Sequence, residues 1–232
     1  MDGKAIYILG IGGSTPVFID LALSCGYEVK GLYHYNDDRT GEIEHGYPIL
    51  GSFADLFETD IKGKSFLLSQ GDMRIRQEIT NRIISLEGKI PTLIHPTAEI
   101  SSFAKISDMG VIIGAKCVVQ ADAEIKSNAV LWDMALVCHQ TLIGNYVFIG
   151  PKALVGAHLL VNDFAFVGQG SLLISGKVER VGNDALVGAG AVVTKQIPSK
   201  AVVAGNPARI IKYLPQFGIV QTTNPNCLHY FP

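Results

Sequence analysis

Charge is scarce in this chain: Asp, Glu, Lys and Arg make up 17% of its 232 residues, against 48% apolar. The balance is nearly even, 19 basic against 21 acidic side chains for a net −2, so nothing favours nucleic acid as a partner. So apolar a composition also excludes a disordered chain. Cysteine is equally sparse. Cys25, Cys117, Cys138 and Cys227 form no C-x-x-C pair, which argues against zinc ribbons and dithiol redox sites. They read as buried thiols in a reducing compartment, and no metal site is expected. No apolar run is long enough to span a bilayer, and no charged-then-apolar leader opens the sequence. The expectation is a cytoplasmic protein without membrane insertion.

What is present is a period of six. Stepping by six from Ile113 lands on Val119, Ile125, Leu131, Val137, Ile143, Ile149, Val155, Val161, Val167 and Leu173, a branched aliphatic residue each time. A mostly small residue stands four places after each stop, among them Cys117, Ala123, Ala129, Ala135 and Ala153. Neither helical nor simple strand periodicity yields this spacing. A hexapeptide-repeat parallel β-helix does, with short strands on the faces of a prism, the aliphatic residue pointing to its axis and three hexads per coil. Each such burial stabilises by roughly 1.5–3 kcal/mol. Ile94, Ile100 and Ile106 precede the run, and Val181, Val187 and Val193 follow it. The seven-residue step from Ile106 to Ile113 implies one inserted residue near Gly110, and the eight-residue step to Val181 implies a bulge around 176–180.

Before the repeat, the pattern is α/β. Ala5–Leu9 reads as a buried strand, Gly10-Ile11-Gly12-Gly13-Ser14 as a glycine-rich turn, and Pro16–Cys25 as a helix closed by Gly26. Such a turn lets backbone approach a phosphate at a helix N-terminus. Thr15 occupies the place of the third dinucleotide-fingerprint glycine, and Asp37 comes late for a ribose-binding acid, so NAD is disfavoured. Residues 46–51 read as a turn-rich connection, Ser65–Ser69 as a second parallel strand, and Met73–Leu86 as a helix packed on the sheet. Ligands gather beyond strand C-terminal ends, which places Gly71 and the Gly10–Ser14 turn in one crevice. After the repeat, Asn206 and Pro207 read as the N-cap and first turn of a short helix ending before Pro215. The expected units are a Rossmann-like domain over 1–90, a β-helix over 91–205, and a capping helix with tail over 206–232. The first would cover one end of the solenoid and the helix the other.

The repeat, the G-x-G-G turn and the Gly205-Asn206-Pro207-Ala208-Arg209 run together resemble one family. It is the bacterial sugar O- and N-acetyltransferases of the hexapeptide-repeat, left-handed β-helix superfamily, and in particular those acting on nucleotide-linked 4-amino-dideoxy sugars. The resemblance implies a left-handed helix, a homotrimer with active sites between subunits, acetyl-CoA as cosubstrate, and a nucleotide sugar held partly by the N-terminal domain. It implies His139 as general base within Cys138-His139-Gln140-Thr141-Leu142-Ile143-Gly144. It places Phe148, Ala157, Gln169, Ala189 and Arg209 along the cosubstrate, with the backbone amide near Ala157 facing the thioester oxygen. Gly12, Gly13, Ser14 and Gly71 fall on the sugar side. Departures are Gln140, where the family usually carries an acid; Ser14, where histidine is common; Tyr33-His34-Tyr35, where an Asp is common; and Trp132, where a small polar residue is frequent.

The residues argue for His139 independently. It takes an outward-pointing hexad position, with Ala121 and Ala157 one coil below and above, so space is left around a side chain able to accept a proton near working pH. Gln140 can orient that ring but cannot neutralise an imidazolium. Asp122, stacked beneath Gln140, or Asp133 is expected to supply the charge. Cys138 faces another direction from His139, which favours direct transfer over an acyl-enzyme. Three other functions fit the same residues. They are sugar O-acetylation of the sialic-acid type, a non-catalytic sugar-nucleotide scaffold, and a β-helical carbonic-anhydrase type of site using His139 with His158.

Overall fold

A computed structural model describes residues 4–215; the tail 216–232 and Cys227 lie outside the described residues. The N-terminal unit is a sheet flanked by helices: β1 (Lys4–Leu9), α1 (Thr15–Ser24), β2 (Tyr27–His34), β3 (Ile43–Glu44), β4 (Tyr47–Ser52), α2 (Phe53–Phe57), β5 (Phe66–Leu68) and α3 (Met73–Ser85). Strand order is β3-β4-β2-β1-β5, parallel throughout except for β3. α1 starts with proline in its first turn, buries Phe18, Ile19, Leu21 and Ala22, and is followed by Gly26 at φ +77°. α3 begins where the Asp72 carboxylate accepts the amides of Arg74 and Ile75. The 46–51 stretch, expected as a connection, is instead β4. Its Ile49 is buried in the core and its ladder to β2 outweighs the breakers Gly46 and Pro48.

From Leu93 onward, two-residue strands recur at each hexad and pair in parallel with the next coil, for instance Val118 with Leu136 and Leu136 with Leu154. The aliphatic stops fill the axis: Ile113, Leu131, Val137, Ile143, Ile149, Val155, Val161 and Val167 are all fully buried. This is a left-handed parallel β-helix. Both insertions occur where expected: Glu124 pairs with Lys105 at an offset of 19, and Leu160 with Arg180 at an offset of 20. Each coil turns three corners, and from Gly110 to Gly190 the corners carry a residue of positive φ. One column is Asp122, Gln140 and His158; a second is Lys116, Met134, Lys152, Gly170 and Gly190; the third is Gly110, Asn128, Tyr146, Phe164 and Asp184.

The C-terminal segment is a hairpin, not the expected helix. Ala201–Gly205 adds to the sheet beside Leu186–Val187, turns through a cis Asn206–Pro207 peptide, and returns antiparallel as Ala208–Tyr213. The last coil leaves a row of unpaired backbone groups along its edge. A strand carrying Ile210 and Ile211 pairs with that edge; a helix would not, so tertiary pairing overrides the Asn-Pro signal.

The N-terminal unit does not plug an end of the solenoid, as expected, but leans along its flank. Phe18, Ile19 and Leu21 share a core with Leu93, Ile112 and Val130 on one prism face. α3 runs against the third corner column. Arg74 forms an ion pair with Asp184 and stacks 3.5 Å above the centre of the Phe164 ring. Arg76, 1% exposed, donates to the carbonyls of Leu68 (2.6 Å) and Gly110 (3.0 Å), and Thr80 donates to Asn128 Oδ1 at 3.3 Å. Burial pulls the Arg76 guanidinium down to about 10. A buried cation held by carbonyls alone is costly to keep, yet removing it strands two acceptors and opens a cavity. Arg76→Ala is therefore expected to destabilise the protein by about 3–5 kcal/mol. Urea denaturation monitored by the circular dichroism of both units checks this, and loss of the N-terminal transition alone is the signature of undocking.

Candidate active site

Three corners divide the chemistry. The face that carries Ile112, Val130 and Phe148 lies between the Tyr146 corner and the corner of Asp133 and Met134; it is covered by the N-terminal unit. The His139 corner is the vertex opposite that face. Within one chain, then, His139 is held away from the Gly10–Ser14 crevice. The predicted residues fall into three groups. His139, Gln140, Asp122 and Ala157 share one corner. Gln169 and Ala189 sit on the Asp133 corner, two and three coils above Asp133, and Phe148 lies on the covered face. Arg209 is on the hairpin, exposed, its guanidinium donating to the Ala208 carbonyl at 2.9 Å.

The His139 corner is built by coil-to-coil bonding. The Gln140 amide donates to Ala121 O (3.1 Å) and the His158 amide to His139 O (3.3 Å). The His139 amide is held by Gln120 Oε1 at 3.0 Å. This fixes the backbone while the imidazole stays exposed, as Gln140 and His158 do. Gln140 Oε1 lies 3.3 Å from Nδ1. With Nδ1 protonated, the amide oxygen would accept from it and leave the Nε2 lone pair pointing outward. The His158 ring stands edge-on at 5.1 Å between centroids. Asp122 is stacked beneath Gln140 as expected, but it makes no polar contact with the imidazole among the described residues. Asp133 of the same chain is not beside the imidazole either. It stands on a different corner, where its Oδ1 accepts the Ala115 amide at 2.9 Å.

The amide of Ala157, directly above His139, donates to Ser175 Oγ at 2.8 Å. Ser175 lies one regular coil above Ala157, but nothing in the sequence singles it out; the hydrogen bond to the Ala157 amide does. Gln120 was also missed: one coil back from His139 is Ala121, and Gln120 is its neighbour, nineteen residues away.

In the N-terminal crevice, Gly10 (φ +102°) is required by the turn, since a Cβ there would meet Ser69 Oγ at 2.6 Å. Gly12, Gly13 and Gly71 are different: a Cβ on any of them would meet nothing within 4 Å. Their lack of side chain serves the open space in front of them. The Gly12 amide donates to Thr15 Oγ1 at 2.8 Å, and Ser14 precedes α1 without a side-chain cap. At the end of β2, His34 is buried, with Nδ1 2.5 Å from Asn36 Oδ1. A cleft of about 300 Å³ opens between α1 and the β-helix, lined by Phe18, Asp20, His95, Ala115, Trp132 and Asp133. Among the described residues, no three His, Cys, Asp or Glu side chains converge as a metal-ligand set, and no helix is long and apolar enough to cross a membrane.

The thiols beside the site are poor nucleophiles. Burial pushes Cys138 upward and Cys117 up to about 11, with the Cys117 thiol donating to Trp132 O at 3.1 Å. Iodoacetamide at pH 8 is expected to leave Cys117 unmodified in the folded protein and to modify it only in denaturant, by peptide mass mapping.

Sheet, solenoid and corner histidine define a two-domain hexapeptide-repeat protein. Residues 5–83 match the PglD N-terminal domain family. The acetyltransferase domain of PglB from Neisseria gonorrhoeae, solved in complex with acetyl coenzyme A, is 31% identical, with 90% of this chain and 100% of that one covered and a TM-score of 0.80. PerB from Caulobacter crescentus, solved with CoA and GDP-perosamine, is 29% identical, over 89% of this chain and 96% of that one, with a TM-score of 0.81. Fifty residues are 46% identical to a 2,3,4,5-tetrahydropyridine-2,6-dicarboxylate N-acetyltransferase of Staphylococcus aureus, 22% of this chain and 20% of that protein. The first curated relatives are matched over only 16% to 20% of their own length. The chain belongs to the hexapeptide-repeat acetyltransferases that carry a PglD-type N-terminal domain.

Proposed function

We propose that this protein is an acetyl-CoA-dependent N-acetyltransferase acting on a nucleotide-linked amino sugar, of the 4-amino-dideoxy kind, in surface-glycan biosynthesis. The observation that carries this reading is an exposed imidazole on a clamped backbone, with Gln140 Oε1 at its Nδ1, in a chain alignable along nine-tenths of its length with an acetyl-CoA-bound acetyltransferase domain. His139 acts as general base, taking a proton from the acceptor amine as it attacks the thioester. Gln140 fixes the ring tautomer. An amine that is already unprotonated asks less of the base than a hydroxyl would, which suits a site lacking the usual acid and favours N- over O-acetylation. The raised thiol of Cys138 supports direct transfer, because the thiolate is the nucleophilic form.

The upper coils suit an extended cosubstrate. Gln169, Gly170, Ala189 and Gly190 are exposed and mostly small, and a Cβ on Gly170 or Gly190 would meet nothing within 4 Å. A pantetheine arm would find backbone accessible there, and Arg209 is placed on the exposed hairpin where it could pair with phosphate. The acceptor's nucleotide would rest on Gly12, Gly13, Ser14 and Gly71. Since His139 is opposite the face covered by the N-terminal unit, a complete site needs the corner of one copy against the cleft of another. This supports a homotrimer with sites between subunits.

The test is thiol release from acetyl-CoA across UDP-, GDP- and dTDP-linked amino sugars. Acceptor-dependent release by the wild type and a fall of at least about a hundredfold in His139→Ala are expected. Equal rates in the two proteins would remove His139 as base, and release without acceptor dependence would favour a sugar-nucleotide scaffold. Gly13→Val separates ligand from turn. With open space around that position, the melting temperature should stay within about 2 °C of wild type while the acceptor KM rises about tenfold or more.

A further inference from the structure

Three turns of the solenoid share one construction. After a strand and a glycine, the next amide is held by a side chain from the coil above: Ala115 N by Asp133 Oδ1 (2.9 Å), Asn145 N by Asp163 Oδ1 (2.8 Å), and Ala157 N by Ser175 Oγ (2.8 Å). The glycines make room, for a Cβ on Gly114, Gly144 or Gly156 would meet that same side chain at 2.2, 2.5 or 2.6 Å. Two of the acceptors are carboxylates, which accept and have nothing to give. The third, Ser175, two coils above His139 on the same corner, is a hydroxyl, which accepts from the Ala157 amide and has a hydrogen left to donate. It is also fixed in place: the following bulge is anchored by buried Val178, whose amide donates to Ile174 O at 3.1 Å.

We propose that the Ser175 hydroxyl, polarised by the Ala157 amide, donates to the thioester oxygen during transfer, so that the side chain rather than the amide itself is the oxyanion donor. Ala157 stands about 4.8 Å above His139, the spacing of paired strands. Ser175 belongs to the next coil up, and its oxygen reaches down to that amide at 2.8 Å, so the hydroxyl lies above His139 on the same corner column, the side to which the carbonyl of a thioester attacked by an amine bonded to His139 would project. In the step, the amine nitrogen forms a bond to the carbonyl carbon and the carbonyl π pair moves to oxygen, where Ser175 meets it. His139 Nε2 takes the amine proton. Collapse of the oxyanion breaks the C–S bond, and the imidazolium returns its proton to the departing sulfur, leaving an amide and free CoA. A carboxylate at 175, as at the other two turns, would repel the developing charge.

This inference rests on the acetyltransferase reading, and the experiment separates the two. Isotope-edited infrared spectroscopy of [1-13C]acetyl-CoA bound to the full chain reads carbonyl polarisation without any acceptor. The wild type should shift the carbonyl stretch to lower frequency. Ser175→Thr should keep that shift, while Ser175→Ala and Ser175→Asp should return it to the free value. With acceptor present, Ser175→Ala should lose about ten- to a hundredfold in kcat while the KM for acetyl-CoA stays within about twofold. An unchanged carbonyl shift in Ser175→Ala, or a kcat at or above wild type, would make the amide the donor and overturn the role of Ser175. A wild type that binds no acetyl-CoA would overturn the acetyltransferase reading and this role with it.

Discussion

Coil-to-coil backbone hydrogen bonding at a fixed pitch is the constraint on which the rest depends. A strand of two residues is too short to stand alone, and it persists because each pairs above and below, as Val118–Val119 does with Glu99–Ile100 and Leu136–Val137. The pitch aligns the buried aliphatic residues into one continuous axis and stacks the corners into columns. Stability is then a property of neighbours, as in other solenoids. The price is a left-handed backbone at nearly every corner, of order 1 kcal/mol for a residue other than glycine. Lys116, Asp122, Asn128, Met134, Gln140, Tyr146, Lys152, His158, Phe164 and Asp184 all adopt it, and none is β-branched.

The corner columns also distribute function. The Tyr146 column is given over to docking, with Asn128, Tyr146, Phe164 and Asp184 received by α3. The Asp133 side offers small, open residues and the cleft beside α1. The His139 column carries imidazole, amide and hydroxyl chemistry on backbone that cannot shift without disturbing the coils around it. Such rigidity keeps these side chains in a fixed relation to one another.

Much of the fold was legible because the hexad is an unbroken signal. The stops from Ile113 to Leu173 gave the strands, and breaks in the count gave both insertions. The imidazole, too, could be placed from Ala121 and Ala157 alone. What stayed hidden depended on partners distant in sequence. Asn206-Pro207 reads locally as a helix start, but the bare edge of the final coil recruits Ala208–Tyr213 as a strand. Asp133 looked close to His139 along the chain, yet six residues on a triangular solenoid is a different corner. Ser175 aligns with Ala157 by the eighteen-residue count, but that its hydroxyl turns down to that amide is a matter of side-chain placement the sequence does not show.

The guanidinium of Arg76 reaches from α3 to the carbonyl of Gly110, the residue at which the solenoid takes its first extra step. Recombining this N-terminal domain with the solenoid of a relative is consequently not a matter of choosing a linker. A graft that keeps α3 but imports a first coil without that extra residue would lose the arginine's acceptor, so the practical breakpoint for a chimera lies beyond Asn128 and not at the apparent boundary near residue 90.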